Sequence, residues 1–312
     1  MIELHDPLAF PPDRRGGVLC IGNFDGLHIG HQRMLATARQ AATAAGVPLT
    51  VMTFDPHPIA LLRPEAAPAP LMTMPQRIEN LAALGVDILL LIQTTPAFLA
   101  ITAEQFLAQI VQRAIGATHI VEGANFTFGH RALGIVATLQ AAAPAHGYRV
   151  TIVPTAEQSL SDMTLVTVSS SLIRWLIQHG RVRDAAKCLG SPFTLRGVVV
   201  KGQQRGRTIG FPTANVAIAQ IRPAAGVYAG RAVVDGAAHL AAISVGTNPT
   251  FDGTHTTIEA FLLDFEGDLY AKTIDIEFHH WLRDQEKYAG VDPLVRQLKK
   301  DVERTREMMA GN

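Results

Sequence analysis

Two histidines stand three residues apart in Gly22-Asn23-Phe24-Asp25-Gly26-Leu27-His28-Ile29-Gly30-His31, a run that leaves a short apolar segment and enters a helical one. Three properties of the run suit an anion. Glycine lets the backbone approach a ligand closely. A helix N-terminus offers N–H groups and the positive end of a dipole, and side chains three apart on a helix share a face. Imidazoles so placed can offset charge that develops on a nucleotide's α-phosphate and on departing pyrophosphate. A structural role and a metal pair compete with this reading, and for a metal no third ligand stands nearby. Further along, Val168-Ser169-Ser170-Ser171-Leu172-Ile173-Arg174 offers three hydroxyls and a guanidinium. Any of the serines can cap a helix while the others and Arg174 hold phosphate oxygens; an N-cap with a surface arginine explains the same residues.

A second constellation begins at Gly202. The run through Arg205, Gly206, Arg207, Gly210, Pro212, Thr213 and Asn215 is a Gly/Arg-rich loop, and no Walker A pattern occurs in it. Such a loop can wrap phosphates with backbone N–H groups and guanidinium. Thr213 and Asn215, two apart on an extended segment, point to one side. Their oxygens suit a Mg²⁺ ion that also holds ATP. A flexible surface hairpin is the competing reading. Glu259 sits in Thr257-Ile258-Glu259-Ala260-Phe261-Leu262-Leu263-Asp264-Phe265, otherwise rich in apolar residues. An unpaired carboxylate is costly to bury, so Glu259 either faces solvent or has a task. As a general base it could take the proton from a hydroxyl attacking the γ-phosphate of ATP.

The elements that must carry these residues change character along the chain. Strand-like runs at Val18–Gly22, Pro48–Phe54, Asp87–Gln93, His119–Val121 and Tyr148–Val153 alternate with helical ones at Ile29–Ala45, Gln76–Leu84 and Thr102–Gly116. Thr102-Ala103-Glu104-Gln105 has capping-box spacing. This alternation predicts an α/β, doubly wound parallel sheet of Rossmann-like type. Two short helices between Ser169 and Gly190 form the join. Beyond them, Phe193–Lys201, Gly226–Asp235, Leu240–Val245, Thr257–Phe265 and Thr273–Phe278 read as strands with no helix between, which predicts an antiparallel barrel or sandwich. Asp292–Met309 closes as an amphipathic helix.

With 312 residues, 48 % apolar and 17 % charged, the chain is expected to form about two globular domains. Lys plus Arg and Asp plus Glu both total 27, so nothing suggests the basic face of a duplex nucleic-acid binder. No apolar run approaches the roughly 20 residues of a membrane helix, and Met1–Arg15 lacks the pattern of a signal peptide. Cys20 and Cys188 are too few for a disulfide framework. A cytoplasmic protein is expected.

Taken in order, G-x-F-D-G-x-H-x-G-H, Thr53-Phe54-Asp55-Pro56-His57-Pro58, Gly123-Ala124-Asn125-Phe126-Thr127-Phe128-Gly129 and S-S-S-x-I-R resemble bacterial bifunctional riboflavin kinase/FMN adenylyltransferase, or FAD synthetase. The resemblance continues through R-G-R-x-I-G-F-P-T-A-N, Pro223–Tyr228, Gly246-Thr247-Asn248-Pro249-Thr250-Phe251, the Glu259 strand and Leu269-Tyr270. It implies an FMN adenylyltransferase domain over 1–186 and a six-stranded antiparallel riboflavin kinase barrel with a terminal helix over 187–312. In the first, Gly22, Phe24, Asp25, Gly26, His28, His31, Asn125, Ser170, Ser171 and Arg174 would serve ATP. Phe54, Pro56, Pro58, Phe126 and Phe128 would contact flavin. In the second, Gly202, Arg205, Gly206, Arg207, Gly210 and Pro212 would line ATP, with Thr213 and Asn215 on Mg²⁺. Glu259 would be the base, and Arg283 and Glu286 would lie near flavin.

Three positions depart from the family's usual residues: Ser171 for Thr, Asn125 for Asp, and Phe261 for His or Tyr. Expected partners are riboflavin, FMN and ATP, with no nucleic acid, no membrane and at most a weak homo-oligomer. A monofunctional riboflavin kinase with an inactive N-terminal domain, and a flavin-binding or regulatory protein without turnover, are the alternatives.

Overall fold

The computed structural model describes residues 1–202, 205–250 and 253–311, and of Arg205, Arg207, 247–250 and 253–256 the backbone only. Two compact units emerge, Met1–Pro68 with Met74–Glu157, and Ala69–Thr73 with Gln158–Asn312.

In the first unit, strands β1 (Ile2–Leu4), β2 (Val18–Ile21), β3 (Leu49–Asp55), β4 (Ile88–Gln93), β5 (His119–Gly123) and β6 (Arg149–Val153) form one sheet in the order β1-β4-β3-β2-β5-β6. Every pairing in it is parallel. Strands buried on both faces read as continuous apolar runs, which is why Val18–Ile21 and Ile88–Ile92 show no alternation and are buried throughout. The helices are α1 (Ile29–Ala45), α2 (Met74–Ala83), α3 (Phe106–Ile115, continuing from the capped turn Ala103–Gln105) and α4 (Val136–His146). The Thr102–Gln105 capping box forms as its spacing predicts.

Strand order reverses between β2 and β5: the chain moves from β2 to β3 on one side and returns to β5 on the other. In open α/β sheets, the crevice beyond the carboxyl ends of strands at such a reversal is where ligands bind. The Gly22–His28 turn emerges there.

In the second unit, α5 (Ser170–Gln178) and α6 (Val182–Leu189) precede a closed barrel. Its strands are β7 (Phe193–Val200), β8 (Ala214–Ala217), β9 (Gly226–Val234), β10 (Ala237–Thr250), β11 (Gly253–Leu262) and β12 (Thr273–Arg283), arranged β7-β8-β11-β10-β9-β12. All its pairings are antiparallel. Alternation sends Ala214, Val216, Ile243, Val245, Ile258 and Ala260 into the barrel. Asn215, Ser244 and Glu259, in the alternate positions, belong to the opposite face. The terminal helix α7 (Val291–Met309) is tied to the barrel by a fork from Arg283 to Asp301 at 2.9 and 2.7 Å.

Candidate functional site

At the crevice of the parallel sheet, His28 is the N-cap of α1, and its Nδ1 accepts from the His31 N–H at 3.3 Å. The two rings stack, with centroids 3.7 Å apart and planes 14° from parallel. Gly30 permits this packing, because a Cβ there would stand 3.1 Å from Cε1 of His28. Burial pushes His28 down to about 4 against the opposing influence of its backbone hydrogen bond and of Asp25. Burial, then the neighbouring His28 and Arg77, hold His31 well below the usual range. Burial therefore favours the neutral form of both imidazoles. A neutral imidazole can offer an anion an N–H donor.

The turn itself is built from buried groups. Phe24, at φ 49°, is wholly buried with its ring centroid 5.2 Å from that of His31, so its side chain packs against that ring. Gly26 takes φ 85°, which glycine adopts without strain. Asp25 is buried against Arg77, 3.5 Å away, a partner from α2 that the sequence motif did not include. Gly22 donates its N–H to the Met52 carbonyl at 3.0 Å, and Thr53 Oγ1 donates to the Asn23 carbonyl at 3.2 Å. Buried Asn23 Oδ1 and His31 Nδ1 have no hydrogen-bond partner among the described residues. Asn23 was also missed by the motif reading, although a carboxamide inside a Gly-bounded turn is a usable signal.

Of the expected flavin contacts, Phe128 lies in the core while Phe54 and Phe126 are partly buried against it. Phe126 and Phe128 stack at 5.5 Å. Pro56 is exposed and Pro58 opens the short helix Pro58–Leu62. Asn125 is exposed, just beyond β5. Ser170, Ser171 and Arg174 belong to the second unit. There Ser169 is the serine that caps α5, accepting from the Leu172 N–H at 3.2 Å, and Arg174 Nε donates to the Ala69 carbonyl at 2.9 Å.

On the barrel, β8 and β11 pair so that Asn215 faces Glu259, and β11 and β10 pair so that Ser244 flanks Glu259 from the other side. Thr213 Oγ1 donates to Glu259 Oε2 at 3.2 Å. The hydroxyl, carboxamide and carboxylate picked out by the sequence thus meet in one place. The loop leading to them needs its glycines. A Cβ on Gly202 would collide with the Asn215 carboxamide, and one on Gly206 with the Phe211 carbonyl oxygen. Gly210 and Pro212 lie in the same loop, and Arg205 and Arg207 contribute backbone to the short helix Arg205–Thr208. Gln203, Gln204, Phe251 and Asp252 lie outside the described residues.

Phe261, the departure from the family's usual His or Tyr, packs its ring 5.3 Å from that of Phe211 and so backs the Thr213 loop with apolar contact. Ser244 also accepts from Gln285 Nε2 at 2.8 Å; neither residue was singled out from sequence. Arg283 is committed to Asp301, and Glu286 accepts from the Tyr288 hydroxyl at 3.2 Å.

A doubly wound sheet with a helix N-terminus lined by imidazoles, followed by a barrel that gathers oxygen donors beside a carboxylate, defines a two-part transferase acting on nucleotide phosphates. The FAD synthetase family model matches residues 10–169, and the riboflavin kinase family model matches residues 189–309. The bifunctional riboflavin kinase/FMN adenylyltransferase of Listeria monocytogenes is 35 % identical over 94 % of this chain and 92 % of its own. That of Escherichia coli is 33 % identical over 94 % and 93 %. A crystal structure described as a macrolide-efflux protein from Streptococcus pneumoniae is 35 % identical, covers 98 % of both chains and superposes with a TM-score of 0.87. The chain belongs to the bifunctional riboflavin kinase/FMN adenylyltransferase family, and it carries both of that family's enzyme domains. Among the described residues, no helix is long and apolar enough to cross a membrane.

Proposed function

We propose that this chain converts riboflavin and ATP to FMN and ADP on the barrel, and FMN and ATP to FAD and pyrophosphate on the parallel-sheet domain. The observation that carries the first step is the 3.2 Å contact between Thr213 and Glu259, with Asn215 paired opposite the carboxylate. Glu259 takes the proton from the riboflavin 5′-hydroxyl as its oxygen attacks the γ-phosphorus of ATP and ADP departs. The Thr213 and Asn215 oxygens are hard donors on one face of an extended segment, a set that fits Mg²⁺. Thr213 and Asn215 would hold that ion, which when bound offsets charge on the phosphate oxygens. The Gly202–Pro212 loop, with Arg205 and Arg207, is assigned to the ATP phosphates.

In the second step a phosphate oxygen of FMN attacks the α-phosphorus of ATP and pyrophosphate leaves. His28 and His31 donate N–H groups to the phosphate oxygens at the N-terminus of α1, where the helix dipole adds to the attraction. A bound polyanion favours the charged imidazole, so substrate raises pKa values that burial has lowered. Asn125, Ser170, Ser171 and Arg174 are assigned to ATP by the family resemblance. Phe54, Pro56, Pro58, Phe126 and Phe128 are assigned by it to flavin on this domain, and Arg283 and Glu286 to flavin on the barrel. The functional division is placed at 186/187, and the location is cytoplasmic.

Two variants test the assignment on the full chain with Mg²⁺ and ATP. Glu259→Ala is expected to lose FMN formation by about 10²–10⁴-fold, the usual contribution of a general base, while still adenylylating supplied FMN. Parent-rate phosphorylation of riboflavin by that variant removes Glu259 as the base. His28→Ala combined with His31→Ala is expected to accumulate FMN without FAD, and undiminished FAD output from it would remove the phosphate role.

A further inference from the structure

The parallel-sheet domain holds a buried carboxyl that neither step uses. Glu122, near the end of β5, is 1 % exposed, and its Oε1 accepts the Ile21 N–H at 2.6 Å. The pairing of β2 with β5 explains why that bond exists. It runs through Val18 with His119 and Leu19 with Ile120, and the register then ends. Beyond it β2 continues along β3 to Ile21 opposite Met52, and β5 continues along β6 to Gly123 opposite Val153. The two central strands therefore part at the strand-order reversal, and the Ile21 N–H, buried between them, lacks a ladder carbonyl to meet. An unpaired buried N–H is costly, and the Glu122 side chain reaches across to satisfy it.

The bond lies where the two walls of the crevice begin. On one side Ile21 leads directly into Gly22 and the His28–His31 turn. On the other, Glu122 leads directly into Gly123 and Asn125. The β3 side of the turn is already fixed through Met52 and Thr53. Glu122 is the corresponding anchor on the β5 side.

We infer that Glu122 is a positioning residue for adenylyl transfer: a strut whose reach sets the separation between the His28–His31 turn and the Asn125 segment. It touches neither substrate and acts through the backbone of both walls. Burial drives its carboxyl well above the usual range against the N–H groups of Ile21 and Gly123. Length and an acceptor oxygen are what the bond to the Ile21 N–H requires. Glutamine keeps both; aspartate keeps the acceptor and loses a methylene of reach.

This inference rests on the adenylyltransferase reading, and the barrel of the same chain supplies the control. Full-length parent, Glu122→Gln and Glu122→Asp are assayed for FAD formation from FMN and ATP, and the same preparations for riboflavin phosphorylation. The strut predicts Glu122→Gln within about twofold of the parent in KM for both substrates. It predicts Glu122→Asp with KM for ATP or FMN raised about tenfold or more, because small displacements of positioning groups are expensive. Riboflavin phosphorylation stays at the parent level in both. Parent KM values in Glu122→Asp overturn the strut. So does a lowered kcat at unchanged KM, the mark of a smaller folded fraction, and so does an impaired Glu122→Gln beside an intact Glu122→Asp. A parent chain that phosphorylates riboflavin yet makes no FAD overturns the adenylyltransferase reading, and the strut with it.

Discussion

His28 and His31 show how strongly surroundings decide what a motif residue does. Burial disfavours the charged form of both rings, and for His31 the His28 ring stacked 3.7 Å away adds to that. The direction of the resulting pH effect is fixed. The folded pKa of His28, about 4, lies below its ordinary 6.5, so the unfolded chain binds the proton first as pH falls. Stability is complete above pH 6.5 and is lost on the way to 4, by about 3 kcal/mol from His28 alone. Urea unfolding of the parent and of His28→Asn at pH 7 and pH 4.5 reads this share together with the part of the His31 shift that His28 causes. The variant should lose less stability on acidification, and equal losses would contradict the assigned burial effect. Glu259 is the contrasting case. Its place on the outer alternation of β11 gives it neighbours on two strands and a hydroxyl at 3.2 Å.

A fork joins the barrel's last strand to the terminal helix. Asp301 is buried, and Arg283 donates to both of its carboxylate oxygens. Removing one partner leaves a largely buried charge unpaired, so Asp301→Ala should cost about 3 kcal/mol, read as a lower urea midpoint. A midpoint unchanged from the parent would show that apolar contacts alone dock α7. Helix α1 and the bounds of most strands were legible in the sequence, because apolar runs, caps and terminating glycines are local signals. Helix α4 was not: Val136–His146 is rich in Ala, contains Pro144, and buries only Leu139. Strand β1 is three residues long and exists through pairing with β4. The hairpin of β10 and β11 runs past Val245 through Gly246, Asn248 and Pro249, residues that read locally as a turn. The motif residues were legible, whereas Arg77 and Glu122 were not. Their partners, Asp25 and Ile21, stand 52 and 101 positions away, and no spacing rule reaches that far.

At the scale of the molecule, the chain joins two units whose topologies share nothing: an all-parallel open sheet and an all-antiparallel closed barrel. His28 and His31 lie in the first unit and Glu259 in the second, so variants at His28 and His31 and variants at Glu259 should not disturb the other reaction. The central claim is that both reactions belong to one polypeptide and run in sequence. The most direct measurement is a time course of riboflavin with excess ATP and Mg²⁺, with riboflavin, FMN and FAD separated by chromatography. The account predicts that FMN rises first and then falls as FAD replaces it. FMN that accumulates without FAD, or riboflavin that stays bound and unconverted, would contradict it.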